Sequence, residues 1–437
     1  MLIFMIHSKV IQTEALWQKE ACAIIIAVFT RFAANHNKLV IYDKEDIKVK
    51  FSKRILNVAP SATISISAAA KNMKAEGKPV LSFSMGEPDF SSPKAANDAA
   101  IEAIKRGESH YTLNTGIMEL RQAVCDYYKK RFGLEYTPAE VIVAAGAKPL
   151  LYEAMQALVD EGDEVVLFAP AWVSYVEQLH MAGGVEKVVD TMSTGLIPTK
   201  EKLLEAIGPK TVGIVVNSPS NPTGAIYPEE TLRMIAEIAI EKDLWIIFDE
   251  IYERFAYAPA KHINILNVVP EARDRVIIVN GVSKAYAMTG WRIGYALGPK
   301  EIIAKMATLQ THLTSNASSI AQWAAYGAVE GADEDVEKMR AEFEKRRRVI
   351  VDMINDIPGL KVREPEGAFY VFVDITGCPV PDDMKFCEML LNEKYVAAVP
   401  GTAFFAPGYI RLSYACSMEN IKEGMKRMKE FVEGLSK

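Results

Sequence analysis

Six histidines in 437 residues are too few and too scattered to build a zinc site. The five cysteines, Cys22, Cys125, Cys378, Cys387 and Cys416, form no CxxC pair. Such an odd, dispersed set excludes a disulfide framework and reads as reduced thiols that mostly fill the core. No apolar run approaches the roughly 18–20 residues needed to cross a bilayer. The longest apolar stretch, residues 21–29, follows Glu14 and Glu20 and lacks a compact basic start, which argues against an export signal. A basic excess is missing too. The formal net charge of −6 leaves no electrostatic footprint for nucleic acid and no polybasic patch for anionic lipid. A cytoplasmic protein with no nucleic acid and no membrane among its partners is expected.

What is present is ordinary for a globular chain: 50% hydrophobic and 24% charged residues. The length suits two closely packed domains. Residues 1–50 lack a sustained period and read as an N-terminal extension. From about Leu134 the chain alternates strand-like and helix-like windows. The strand-like runs are Glu140–Ala144, Val165–Phe168, Val212–Val216, Leu244–Phe248 and Val276–Val279. Helical windows such as Lys148–Leu158 and Pro228–Lys242 lie between them. Short buried runs alternating with helices predict an α/β domain, a mostly parallel sheet with helices on both faces. After about Gly331 the texture changes. Asp333–Ile357 reads as a long charge-laced helix, Ala368–Val373 and Tyr409–Ser413 as strands, and Met418–Leu435 as an amphipathic helix. This is a smaller α+β domain.

In open sheets of this kind ligands bind beyond the carboxyl ends of the strands. Each run is followed there by a residue type with chemical use. Gly146, Ala147 and Lys148 open a helix whose free N–H groups favour an anion, although a plain turn explains them equally. Trp172 could stack on a flat ring or simply fill the core. Asn217–Gly224 is a rigid loop dense in turn residues, which fixes side-chain amides. Asp249 is an acid at the end of an apolar strand, costly to bury unless it meets a cation, or else a helix cap. Lys284 in such surroundings has a lowered pKa, which suits imine formation, and Arg292 offers a fork for phosphate. Singly these are weak. Together they meet the needs of pyridoxal phosphate: an amine, an acid for the ring nitrogen, an anion cradle and a ring platform.

Those residues also carry a resemblance. Asn217–Gly224, Asp249–Tyr252 and the stretch from Ser283-Lys284 to Arg292-Ile293-Gly294-Tyr295 resemble the fold-type I, class I aminotransferases. Pro60-Ser61-Ala62-Thr63, Met85-Gly86-Glu87-Pro88-Asp89-Phe90, Met288–Tyr295 and Arg411-Leu412-Ser413-Tyr414 are similar to the bacterial-type aspartate aminotransferase subgroup. The likeness runs from about Ser52 to the C-terminus. It implies a seven-stranded large domain at 96–327, a small domain at 328–437, and a segment 51–95 packing with the small domain.

The resemblance also assigns roles. Lys284 would bind the pyridoxal 5'-phosphate aldehyde and shuttle the substrate proton, with Asp249 on the ring nitrogen. Asn221 and Tyr252 would hold the ring hydroxyl, and Trp172 would stack on the ring. Gly146, Ala147, Lys148 and Arg292 would surround the phosphate, joined by Tyr111 from a neighbouring subunit of a homodimer with shared active sites. Arg411 and the Gly86 backbone would take the substrate α-carboxylate. Lys148, Ser61 and Thr63 would take a side-chain carboxylate, since Thr311 stands where another subgroup uses an Arg. The implied reaction moves an amino group between aspartate and 2-oxoglutarate, giving oxaloacetate and glutamate; the alternative acceptors are prephenate and aromatic 2-oxo acids. Ala59, where several prephenate-using relatives have a basic residue, disfavours prephenate. Two departures stand at the pocket edge: Ala171, where relatives usually have Tyr, and Pro149, where they usually have Gln.

Overall fold

The structure, a computed structural model, describes residues 50–435. The stretch 21–29 and Cys22 lie outside these residues. Residues up to Leu56 form a unit of their own, whose described part holds one helical turn, Lys53–Leu56. Everything below concerns the unit that begins at Asn57.

Thirteen strands are described: β1 (Leu81–Ser82), β2 (Val141–Ala144), β3 (Glu164–Ala169), β4 (Val185–Asp190), β5 (Thr211–Asn217), β6 (Trp245–Asp249), β7 (Val276–Gly281), β8 (Gly294–Leu297), β9 (Lys361–Val362), β10 (Tyr370–Asp374), β11 (Val396–Ala397), β12 (Val399–Pro400) and β13 (Tyr409–Ser413). Seven of them form the large sheet, in the order β2-β8-β7-β6-β5-β3-β4. Only β8 runs against its neighbours. The strands read from the apolar runs are therefore present, within a residue or two at each end. Two members went unread. β4 is an edge strand with exposed positions, and β8 is four residues long and begins with glycine.

The continuous apolar runs follow from burial on both faces. Ile246 and Phe248 of β6 join a core built with helices Met118–Phe132, Glu229–Glu241 and Ser319–Gly331. Trp245 and Ile247, pointing the other way, join a second core with helices Ala147–Leu158, Val173–Ala182 and Lys300–Leu313. Each such side chain contributes about 1.5–3 kcal/mol by leaving water. A third core lies under the antiparallel sheet β12-β13-β10-β9 and includes the helices Asp333–Asn355 and Met418–Leu435. β1 pairs with β11, and the chain just beyond it is held by Phe83 N–H donating to Ala397 O (2.9 Å) and Ser413 N–H donating to Phe83 O (2.8 Å). That places residues 84–87 beside β13. Ala368 was expected within a strand but lies in a turn with φ +57°, and β10 begins two residues later. No helix among the described residues is long and apolar enough to cross a membrane. The four described cysteines are free, and three of them are buried.

Candidate active site

The carboxyl ends of β5, β6 and β7 lie side by side, so the residues that follow them converge. Asp249 is the last residue of β6 and is 3% exposed. Its Oδ2 accepts from the Tyr175 hydroxyl at 2.7 Å and its Oδ1 from the Ile251 amide at 3.1 Å. The Asp249 carboxylate is therefore held from two sides before any ligand arrives. A phenol and a backbone N–H satisfy it, and among the described residues no Lys or Arg is paired with it. Burial pushes its pKa up to about 6 against the pull of those two donors.

The loop after β5 is fastened to the same point. Asn217 Nδ2 donates to Asp249 O at 3.0 Å, while its Oδ1 accepts from Asn221 N at 2.8 Å. Asn221 Oδ1 in turn accepts from Arg411 Nη1 at 2.9 Å. The rigid loop read from Asn217–Gly224 is therefore a bridge between the two sheets. Arg411, in the middle of β13, is 1% exposed and sends Nη2 to Ser84 O at 2.7 Å. Its guanidinium lies over the rings of Tyr370 (4.5 Å) and Phe404 (5.1 Å), and its Nε has no partner. Tyr252, just after β6, shares a hydrogen bond of 2.8 Å with Tyr370.

Lys284 follows β7 and donates from Nζ to Gly86 O at 2.5 Å. Burial lowers its pKa to about 8. Glu87 resists the shift, while Arg292, Arg411 and Lys148 reinforce it. Near neutrality a useful fraction of this amine is uncharged and nucleophilic. Glu87 is held by the Thr289 hydroxyl, which ties the segment carrying Gly86 to the loop before β8.

Gly146 caps the helix Ala147–Leu158 with φ +104°, and a side chain there would overlap the Arg292 guanidinium. Arg292 bonds to Thr289 O at 3.0 Å and Ala145 O at 3.4 Å, so helix start and guanidinium form one cradle. Gly294 closes its floor, since a Cβ would strike the backbone of Gly146 and Ala147. Lys148 lies 4.8 Å from the Trp172 ring; burial and Arg292 pull its pKa down. Pro149 is tolerated because it sits in the first helical turn, where its missing N–H has no helical partner to lose. Ala171, Trp172, Tyr175, Asn217, Asn221 and Tyr227 line a narrow cleft at this edge.

The structure brings together Lys284, Asp249, Asn221, Tyr252, Arg411, Gly86 and, at the cradle, Gly146, Ala147, Lys148, Trp172 and Arg292. It does not bond Ser61, Thr63 or Tyr111 to them. Ser61 precedes helix Ala62–Ala75, Thr63 Oγ1 is buried without a partner, and Tyr111 is 90% exposed. Tyr175 and Tyr370 were not assigned roles from the sequence. Tyr175 had a signal, lying one helical turn beyond Trp172 after β3. Tyr370 had none.

The arrangement is a basic pocket around an amine whose pKa is lowered. Among the described residues Lys148, Lys284, Arg292 and Arg411 meet carbonyls, an amide and aromatic rings, and none is paired with a carboxylate. Such a set suits ligands with two or more anionic groups. Comparisons with known proteins agree. The aspartate aminotransferase of Geobacillus stearothermophilus is 44% identical over 392 residues, covering 88% of this chain and 99% of its own. The aspartate/prephenate aminotransferase of Thermus thermophilus is 42% identical over 380 residues, covering 86% and 97%. The solved Thermus thermophilus aspartate aminotransferase with maleate superposes with a TM-score of 0.84 at 41% identity, covering 87% of this chain and 99% of that one. The family model for class I and II aminotransferases matches residues 78–428, and the chain belongs to that family.

Proposed function

We propose that the chain uses pyridoxal 5'-phosphate to move the amino group of aspartate to 2-oxoglutarate, giving oxaloacetate and glutamate. The observation that carries this reading is the pairing of a low-pKa amine, Lys284 at about 8, with a buried arginine, Arg411, whose Nε is unsatisfied. The residues present fit the cofactor. Gly146, Ala147 and Arg292 form a cradle for its phosphate, Trp172 offers a face for its ring, and Asp249 offers a carboxylate for its nitrogen. Asn221 and Tyr252 stand ready for its hydroxyl. When bound, it supplies an aldehyde for the amino group and a ring that accepts electrons.

The chain's own part is positional and acid–base. Arg411 grips the α-carboxylate through a fork already aimed by Asn221, Ser84 O and the Tyr370 ring. Lys148, with Ser61 and the unpartnered Thr63 hydroxyl, takes the side-chain carboxylate. Lys284 removes the α-proton and returns it on the other side of the reaction, acting as base and acid near its own pKa. Tyr175 and the Ile251 amide favour the charged form of Asp249, and that charge would stabilise positive charge on the ring nitrogen.

The reading includes a homodimer with shared sites. Ile101, Ile104, Tyr111, Leu113, Met118 and Leu313 are exposed by 49%, 63%, 90%, 61%, 52% and 52%. They lie on three helices, Lys94–Lys105, Met118–Phe132 and Lys300–Leu313, and on the loop at 111–114, which is tied to the third helix by Asn114 Nδ2 donating to Thr311 Oγ1 at 2.7 Å. An apolar set of this kind asks for a second copy. Tyr111 would then reach the partner's phosphate cradle.

A panel of amino donors and 2-oxo acids, read by cofactor absorbance, tests the reaction. Turnover with aspartate and 2-oxoglutarate is expected; none with any dicarboxylic donor would sink it. Prephenate as acceptor is the second reading, favoured by the name of the Thermus thermophilus relative. Ala59, whose N–H donates to Glu177 Oε2 at 2.9 Å, adds no cation for it.

A further inference from the structure

Tyr370 heads β10 and is 1% exposed. Its hydroxyl has no part in the reaction so far, yet three parts of the site meet on this residue. Its hydroxyl lies 2.8 Å from that of Tyr252. The same hydroxyl fills the space that a Gly86 side chain would need. Its ring carries the Arg411 guanidinium at 4.5 Å. Gly86 O holds the Lys284 amine, so one phenol touches the supports of three groups in the proposed site.

Resting on the cofactor reading above, we propose that Tyr370 is a positioning residue whose hydroxyl aims the Tyr252 O–H and whose ring seats Arg411. A phenol has a single proton to donate. Within the Tyr252–Tyr370 pair one hydroxyl donates and the other is left free to donate elsewhere. Burial raises the pKa of both phenols, Tyr252 well above its ordinary value and Tyr370 less far, with Arg411 opposing both shifts, which makes Tyr370 the better donor of the two. Tyr252 then accepts, and its own proton is directed to the cofactor hydroxyl. Register supports the second role. Arg411 lies directly opposite Phe372, so both project from one face of the small sheet, and Tyr370 is two residues away on that face. The ring is a fixed seat rather than a chance neighbour.

The test uses the holoenzyme and four variants: Tyr370→Phe, Tyr370→Leu, Tyr252→Phe and the double Tyr252→Phe/Tyr370→Phe. Tyr370→Phe keeps the ring and removes the hydroxyl. It is expected to lower kcat about tenfold, with KM for aspartate changed by less than about twofold. The pH midpoint of the bound-cofactor absorbance should shift in the direction seen for Tyr252→Phe. The double variant should match Tyr252→Phe alone, because the hydroxyl acts through it. Tyr370→Leu removes the seat as well and should raise KM for aspartate about tenfold. Gly86→Ala, which displaces the hydroxyl while keeping Tyr370, should reproduce the midpoint shift and serves if Tyr370→Phe does not fold.

Additive effects in the double variant, or a Tyr370→Phe enzyme with wild-type kcat and midpoint, would overturn the inference and leave the cofactor reading standing. A wild-type chain that gains no absorbance with pyridoxal phosphate would overturn both.

Discussion

The large sheet serves the site from its ends, and the small sheet serves it from within its strands. Asp249 closes β6, Asn221 and Lys284 follow β5 and β7, and Trp172 follows β3. Arg411 lies mid-strand in β13 and Tyr370 heads β10. Residues at strand ends reach the cleft through loops and helix starts, where free N–H groups and turn geometry prepare an anion site. Residues inside a strand have their direction set by the pleat and their neighbours set by register. The first arrangement gathers chemically different groups at one edge. The second gives a stiff, dry seat for one charge. Under the proposed function the large sheet carries the proton chemistry and the small sheet seats the arginine for the α-carboxylate.

That division is open to attack in order of expected effect. Lys284→Ala should lower kcat by up to about 10⁴-fold, the top of the range for a lost positioned acid–base group. Retained turnover in a stopped assay would end the assignment. Arg411→Gln should lower kcat/KM for aspartate about 10²-fold, chiefly through KM, by removing a bidentate buried partner. An effect confined to kcat would erase the contrast between the sheets. Lys148→Ala should raise KM for aspartate about fivefold and leave a monocarboxylic donor unaffected, as measured by paired kinetics. Equal changes for both donors would remove Lys148 from side-chain recognition.

Two pH measurements sharpen the comparison further. In the cofactor-free chain, Lys284 should react with an amine-labelling reagent with a midpoint near 8, because burial pulls it down from 10.5. Labelling followed by peptide mapping would show this, and a midpoint near 10.5 would contradict it. The smallest effect concerns Glu153, in the helix that follows the phosphate cradle. It is fully buried, both its oxygens lack partners, and burial pushes its pKa from 4.5 to about 8. The folded state thus holds a proton that the unfolded chain has lost between these two values, so stability falls as pH rises through that window. Glu153→Met should flatten the fall and stabilise the protein by about 1–3 kcal/mol at pH 8. Urea unfolding at pH 5 and pH 8 would measure it; an unchanged slope would refute it.

Legibility followed the same division. β13 and the final helix were read with the ends the structure shows, 409–413 and 418–435. The runs behind β6 and β7 were read nearly as well, because burial on both faces leaves a plain apolar signature. The cleft residues at strand ends could be read because turn and cap chemistry is local. β8 could not, since its glycine answers to the backbone of Gly146 and Ala147 far away in the chain. Nor could the satisfaction of Asp249. Packing supplied Tyr175, 74 residues earlier, as a donor that no signal near Asp249 announced.

The chain by itself determined which segments become strands and helices, and which amine, acid and loop stand at their ends. Those outcomes depend on periodicity and turn chemistry among near neighbours. Only the packed structure decided that Tyr370 meets Tyr252 across 118 residues and that Arg411 meets Asn221 across 190. Contacts of that span depend on how two separate sheets are pressed together, and a hydrogen bond only a few ångströms long forms only after both cores have set their positions.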